Sequence, residues 1–401
     1  MATNRRSVLK AVGGMSAALA IAGCLGDDDD GANLWHDFED AETDTFESHL
    51  EAFNEDRDQA LTADGVSELE EQLETALAAD RGPQSFAWAH DWIGRYHDQE
   101  FVTDAGDDLE VDLESTYTEV AAEAVQYEGA VYGLPYGAET VTLMYNEDLV
   151  DSPPETVSEM ESIMEDHHDP ENGQYGLSYP SVDPYFVSAW VHAYGGYYYD
   201  EESGELGLEN DETIEGVELL ADSFYPYVPE DPDYESQVAV FNDGNAPFAI
   251  NGPWQVGGFR DGDFDVTLAP LPTVDGGEPR PYTGVQMWYF TSRLGEAEDD
   301  VSDAVVDWTE YHTTNEDAIL TNAQDYGMVP VHQDYVESDE LGEDVEMFAQ
   351  TIDSGIPLPT DPRMNQVWDP VEDALERVFI GDEEPREAFE EAAEQVRDAW
   401  D

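Results

Sequence analysis

Beyond residue 33 the chain alternates short apolar runs with amphipathic stretches of helical period, and this alternation most narrows the folds open to it. Leu34-Trp35, Ser85 to Ala89, Val141 to Tyr145, Phe248 to Ile250 and Phe264 to Leu268 are brief enough to read as strands. Between them, Phe46, Leu50 and Phe53 recur at i, i+4 and i+7, which puts three side chains on one helical face. Val66, Leu69, Leu73 and Leu77 mark a second helix, closed by Gly82-Pro83. Thr213 to Leu220 and the set Val301, Val305, Trp308 and His312 continue the helical pattern. Two C-terminal sets complete it: Val367, Val371, Leu375 and Val378, then Phe389, Val396 and Trp400. Strands separated by helices imply an α/β fold with largely parallel sheets.

Such cores must form beneath an extreme surface charge. The chain holds 96 Asp and Glu against 13 Lys and Arg, a formal charge of −83. Lys10 is its one lysine. Apolar residues at 40% and aromatics at 11% supply core material, so this is not the composition of a disordered chain. The acid is spread through the periodic segments, as on a surface suited to high salt. At 1 M salt the Debye length is about 3 Å and repulsion is screened; at low salt the same charges oppose compaction. With no basic patch for phosphate contacts, nucleic acid is excluded as a partner.

The N-terminus carries an address. Asn4-Arg5-Arg6-Ser7-Val8-Leu9-Lys10 reads as a twin-arginine export signal, followed by an apolar run from Ala11 to Ala22 that is too short to span a bilayer. Ile21-Ala22-Gly23-Cys24 reads as a lipobox, with Cys24 the lipidation site. Residues 1–23 are then the signal and 24–32 an acidic linker that includes Asp27 to Asp30. The expectation is a lipid-anchored protein on the extracellular face of the cell membrane. A single cysteine excludes an intramolecular disulfide and a thiolate metal site. The 378 residues after residue 23 suit two domains, at roughly 100–200 residues each.

Aromatic clusters follow the expected strands. Trp88-Ala89-His90-Asp91-Trp92 comes after one, Asn251-Gly252-Pro253-Trp254 after another. Trp190 with Tyr194 to Tyr199 marks a third cluster, and Trp368 follows the turn-rich Pro357 to Pro362. Loops at strand ends are where open α/β sheets bind ligands. An aromatic face beside a carboxylate matches a pyranose, apolar on its CH face and hydroxylated at its rim. For any single aromatic, core filling is an equal reading; for Trp88 with Asp91, and for Trp254, the site reading is stronger. Signals for enzymes are weak. Paired carboxylates suit glycoside hydrolysis, but with 96 acids no pair stands out. Gly-x-Ser-x-Gly, His-Glu-x-x-His, Walker and GxGxxG motifs are missing. His167-His168-Asp169 precedes Pro170-Glu171-Asn172-Gly173 and reads as a solvated turn, not a metal site.

In order along the chain, these blocks resemble the maltose- and maltodextrin-binding proteins, the extracytoplasmic receptors of ABC sugar importers. The matches are Leu34-Trp35-His36-Asp37-Phe38, Trp88-Ala89-His90-Asp91, Leu134-Pro135-Tyr136-Gly137-Ala138-Glu139, Asp183-Pro184-Tyr185-Phe186, Phe241-Asn242-Asp243-Gly244, Ile250-Asn251-Gly252-Pro253-Trp254 and Ala269-Pro270-Leu271-Pro272. The resemblance implies a two-lobed, periplasmic-binding-protein-like (type II) fold with a hinge and a ligand cleft between the lobes. It implies an N-terminal lobe of residues 33–137 plus 286–330 and a C-terminal lobe of 138–285 plus 331–401. The crossings fall near Gly137 to Thr140, Thr283 to Val285 and Met328 to Val331. It also implies a monomer that binds an oligosaccharide, performs no chemistry, uses no cofactor or metal, and delivers its ligand to ABC permease subunits.

Residue by residue, the match assigns Trp88, Asp91, Glu139, Asp183, Tyr185, Tyr234, Trp254 and Trp368 to the ligand, with Glu39 in the first loop. Trp92 stands where the family's best-known bacterial member has an arginine, Glu372 corresponds to a basic residue expected after the C-terminal Trp, and acid replaces an expected base near Glu39-Asp40. Trp92 and Trp288 are candidates for extra stacking. Three readings compete: capture of a maltooligosaccharide or cyclodextrin; the same class with trehalose, glucose or another glycoside; and an anchored glycoside hydrolase or adhesin.

Overall fold

The computed structural model describes residues 31–400 except positions 39, 56, 58 and 382. The export signal, Cys24, nearly all of the linker and Glu39 lie outside the described residues.

In chain order the strands used below are β1 (Ala32–His36), β2 (Leu61–Gly65), β3 (Ser85–Ala89), β4 (Gly133–Glu139), β5 (Thr142–Asn146), β6 (Leu177–Ser178), β7 (Phe248–Asn251), β8 (Val266–Ala269), β9 (Tyr282–Phe290) and β10 (Ile356–Pro357). They form a sheet in the order β10-β9-β3-β1-β2, with β4 also on β9, and a second sheet, β8-β5-β7-β6. Each sheet is mixed, which corrects the largely parallel expectation. β1 lies parallel to β2 and β3, but β9 is antiparallel to β3 and β4. In the second sheet, β5 is antiparallel to both β7 and β8, and only β7 and β6 are parallel. A parallel neighbour needs a crossover element. β9 arrives in the first sheet straight from the second, without one, and so runs the other way.

The helices follow the expected faces: α1 (Asp40–Asn54), α2 (Leu69–Leu77), α3 (Ile93–Asp98), α4 (Pro184–Val191), α5 (Asp211–Ser223), α6 (Tyr234–Asn242), α7 (Asp299–Thr314), α8 (Glu316–Tyr326), α9 (Glu343–Ser354), α10 (Trp368–Gly381) and α11 (Pro385–Trp400). Val66 falls before the second of them, in the turn after β2. Along β9, Trp288 and Phe290 enter one core while Met287 and Tyr289 enter another, the period-two alternation of a strand buried on both faces. Leu34, Phe46, Val305 and Trp308 complete the first of these, and Leu69, Leu73, Phe86 and Tyr96 the second. The second sheet shares a core with α4, α5, α10 and α11 through Leu143, Trp190, Ile250, Leu375, Phe389 and Val396, and α6 and α9 pack on its strands. Trp190 and Tyr198 are wholly buried there, and Trp190 Nε1 donates to Tyr179 Oη at 2.9 Å. The third aromatic cluster is therefore mainly core.

Between the sheets, segments remote in sequence lie side by side. Gly284, Val285 and Gln286 of β9 pair with Glu139, Ala138 and Gly137 of β4. Ala138 also exchanges backbone hydrogen bonds with Val329, at 2.8 and 3.2 Å. α9 packs on β4, β5 and β8, and so bridges both sheets. Among the described residues no helix is long and apolar enough to cross a membrane.

Candidate functional site

Eight chain segments deliver aromatic and acidic side chains to one cleft of about 480 Å³. β3 ends at Ala89 and turns at once through His90–Trp92 into α3. That turn places Asp91 at the cleft and stacks Trp88 on Trp92, with ring centroids 4.5 Å apart and planes 20° apart. Trp92 is only 5% exposed, and the Arg95 guanidinium lies 5.5 Å from its ring centroid. Its side chain therefore backs Trp88 from the core more than it offers a free stacking face. Glu139 comes from the end of β4, beside the junction of the sheets.

On the other side, Asp183 caps α4 and accepts from the backbone N–H of Tyr185 at 2.8 Å and of Phe186 at 3.4 Å. Asp-Pro at a helix start is a strong cap-plus-N1 signal, and here it aims Tyr185 at the cleft. β7 runs into Gly252-Pro253-Trp254, and the Trp254 ring folds back over Gly252. Trp254 Nε1 donates to Tyr234 Oη at 3.0 Å and the ring meets Phe186 edge-on. Trp368 opens α10, edge-on to Tyr282. Trp88, Asp91, Trp92, Glu139, Asp183, Tyr185, Tyr234, Trp254 and Trp368 thus all line the cleft. Glu39 falls outside the described residues. Trp288 is a correction: it is fully buried, donates to His312 Nδ1 at 3.0 Å and packs against Phe46 and Trp308. The alternation of β9 points it into the core, away from the cleft.

The lining is acidic without cations. Asp37, Glu42, Glu70, Asp369 and Glu372 join Asp91, Glu139 and Asp183, and no described lining residue is Lys, Arg or His. Burial pushes the Asp91 carboxyl up to about 7, against the pull of Arg95. Burial likewise raises Glu139 to about 7, opposed by a hydrogen bond from Gln286, and Asp183 to about 6, opposed by its two cap bonds. Glu372 is raised by burial and by Asp183 and Asp369 beside it. Removing a carboxylate from water disfavours its charged form until a donor replaces the water. Hydroxyl groups are such donors, and the indole faces supply the apolar surface that a sugar ring covers.

Sequence reasoning did not single out Glu70, Tyr136, Gln286 or Asp369, all of which line the cleft. Tyr136 sits inside the Leu134 to Glu139 block and was within reach. Gln286 gives no signal, because nothing in a strand of apolar residues says which of its polar members meets a ligand.

Comparison with known proteins agrees with this geometry. The family model described as "Bacterial extracellular solute-binding protein" matches residues 49–349. The maltotriose-binding protein of Pyrococcus abyssi (strain GE5 / Orsay) is 35% identical over 366 residues, covering 90% of this chain and 79% of the relative. The galactooligosaccharide-binding protein of Bacillus subtilis (strain 168) is 23% identical, covering 82% of this chain and 79% of the relative. Among solved structures, the maltose/maltodextrin-binding domain of Bdellovibrio bacteriovorus bound to maltotriose superposes with a TM-score of 0.83 at 22% identity, over 92% of this chain and 99% of that one. A cyclo/maltodextrin-binding protein complexed with maltotetraose superposes at 0.73, also at 22% identity, over 93% and 98%. These last two bear on the fold, which is the two-lobed α/β architecture. The chain belongs to the extracellular solute-binding proteins, in the maltose- and maltodextrin-binding family of ABC sugar importers.

Proposed function

We propose that this protein captures a maltooligosaccharide in the inter-lobe cleft and delivers it to an ABC permease, with no chemical step of its own. The observation that carries the reading is the convergence of Trp88, Tyr185, Trp254 and Trp368 with Asp91 and Glu139 on one cleft. The indoles and Tyr185 cover the apolar faces of successive glucose rings, and the carboxylates accept from the hydroxyl rims. Tyr234 holds Trp254 in place through its hydroxyl. Residues 33–137 with 286–330 form one lobe and 138–285 with 331–401 the other. The paired segments at 137–140, 283–285 and 328–331 act as the hinge, because small φ/ψ changes there swing whole lobes. Cys24 carries the lipid, after twin-arginine export, and this anchor keeps the monomeric receptor near its permease. Calorimetric titration in molar KCl with glucose, maltose, maltotriose, trehalose and a cyclodextrin tests the reading. Maltotriose is expected to bind well below 1 mM, a level that corresponds to only ~4 kcal/mol. Binding of none of the glucans, or release of shorter sugars from them, overturns it.

A further inference from the structure

The hinge strand β9 carries one polar side chain into the cleft, and its contacts give it a defined task. Gln286 stands opposite Ala89 of β3 and Gly137 of β4, and the register of the β9–β4 pair shifts between Gln286 and Met287. Such an irregularity re-aims a side chain. The Gln286 amide donates through Nε2 to Glu139 Oε1, and Tyr136 Oη donates to Gln286 Oε1 at 3.2 Å. With Glu139 ionised, the two neighbours fix which way the amide lies: a carboxylate only accepts, so the NH₂ faces Glu139, and the carbonyl then receives the tyrosine proton. Glu139 is 9% exposed, and no described lining residue of the cleft is a cation that could hold it instead.

We propose that Gln286 is the positioning residue for ligand capture: its amide, locked by Tyr136, holds the Glu139 carboxylate at the hinge end of the cleft as a sugar-hydroxyl acceptor. The inference rests on the reading of the cleft as a saccharide site. One Glu139 oxygen is tied to Gln286 on the strand that passes between the lobes, and the other is left for the ligand. A hydrogen bond from the ligand to Glu139 therefore also bears on the hinge strand itself. Donation from the amide favours the ionised carboxylate, which accepts more strongly than the acid. The titratable groups near Glu139 are Asp91 and His90 after β3, Tyr136 on its own strand and Tyr185 on α4. Asp91 and Tyr185 interact with it electrostatically, and His90 Nδ1 accepts from the neighbouring Val285 N–H at 3.1 Å.

The test uses Q286M, which keeps length and removes the donor, and Q286E, which sets a second carboxyl against the first. The side-chain carboxyl of Glu139 is followed by carbon-13 NMR in the ligand-free protein, and maltotriose affinity is measured from pH 6 to 9. Both variants should titrate Glu139 at higher pH than the wild type. Losing one hydrogen bond to a charged group should weaken Q286M binding roughly tenfold at pH 7, with most of the loss recovered at pH 9 as Glu139 ionises. An unchanged Glu139 titration, or an affinity loss of the same size at every pH, overturns the proposal, since a merely structural glutamine would show no pH signature. If the wild-type protein binds no maltotriose, the saccharide reading fails, and the ligand-free titration still decides whether Gln286 sets the state of Glu139.

Discussion

Substituting Gly252 by alanine should damage the cleft without removing any aromatic residue. Gly252 has φ −95° and ψ −179°, extended backbone that alanine adopts freely. Its own Cβ is the difficulty: it would lie 2.1 Å from Trp254 Cζ3, 2.2 Å from Cη2 and 2.5 Å from Cε3. Carbon atoms pack at about 3.5–4.0 Å, so the indole must retreat by ~1.5 Å, and a gap of even 0.5–1 Å forfeits a quarter to a half of a contact. A ring face covering roughly 60 Å² of sugar at about 25 cal/mol/Å² is worth ~1.5 kcal/mol. Breaking the bond from Trp254 Nε1 to Tyr234 removes part of a further ~1 kcal/mol. The expected loss is about 2 kcal/mol, or ~30-fold in Kd, read by calorimetry with maltotriose in molar KCl. Circular dichroism and the melting curve should stay near wild type, because the ring is only partly buried. A folded G252A protein that binds maltotriose as tightly as wild type would refute the placement of Trp254 against the ligand.

Three further outcomes follow from the same structure. Trp308→Ala should cost about 3–5 kcal/mol of stability, as for a large core residue, and leave the affinity of the folded fraction within a few-fold, whereas Trp368→Ala should do the reverse; thermal melts beside titrations separate the two. Asp91 and Glu139 sit at about 7 in the folded state, above the usual carboxyl value near 4, so their stabilising contribution is complete at low pH and is lost as pH rises through 7. The buried histidines, such as His90 and His312, have lowered values, so their unfolded forms shed the last protons between about pH 6.5 and 7.5, which adds stability there and opposes the carboxyls in the ligand-free melt. The ligand-induced difference separates the two: between pH 6.5 and 8 the rise in melting temperature on adding maltotriose should grow as these two carboxyls ionise, and a ligand-induced shift that shrinks over that range contradicts hydroxyl donation to them. Dilution from molar to 10 mM KCl lengthens the Debye length from about 3 to 30 Å, and with a charge of −83 it should lower the melting point by tens of degrees; a salt-independent melt would contradict the account of the surface.

Much of the architecture was legible because burial writes a period into the sequence. Val301, Val305, Trp308 and His312 form one face of α7 and are all buried. β2 was missed because Leu61-Thr62-Ala63-Asp64-Gly65 is an edge strand with only Leu61 buried, so it carries no alternation to read. Strand direction was not legible either, since β9 reverses the sheet through a chain path that local composition does not encode. At the site, the motif blocks marked the residues that face the cleft, but not depth. Trp88 and Trp92 look equivalent in sequence, yet one is a face and the other its support. Trp288 has the composition of a stacking residue and lies in the core. Gln286 could be found only once β4 and β9 were set side by side.

The central claim is that a glucan lies between the lobes on these particular aromatics. The most direct measurement is a crystal structure grown in molar salt with maltotriose. The account predicts glucose rings stacked on Trp254 and Trp368, with hydroxyls within about 3 Å of the Asp91 and Glu139 carboxylates. A crystal soaked at millimolar maltotriose whose cleft shows only solvent, or sugar bound elsewhere on the molecule, would contradict it.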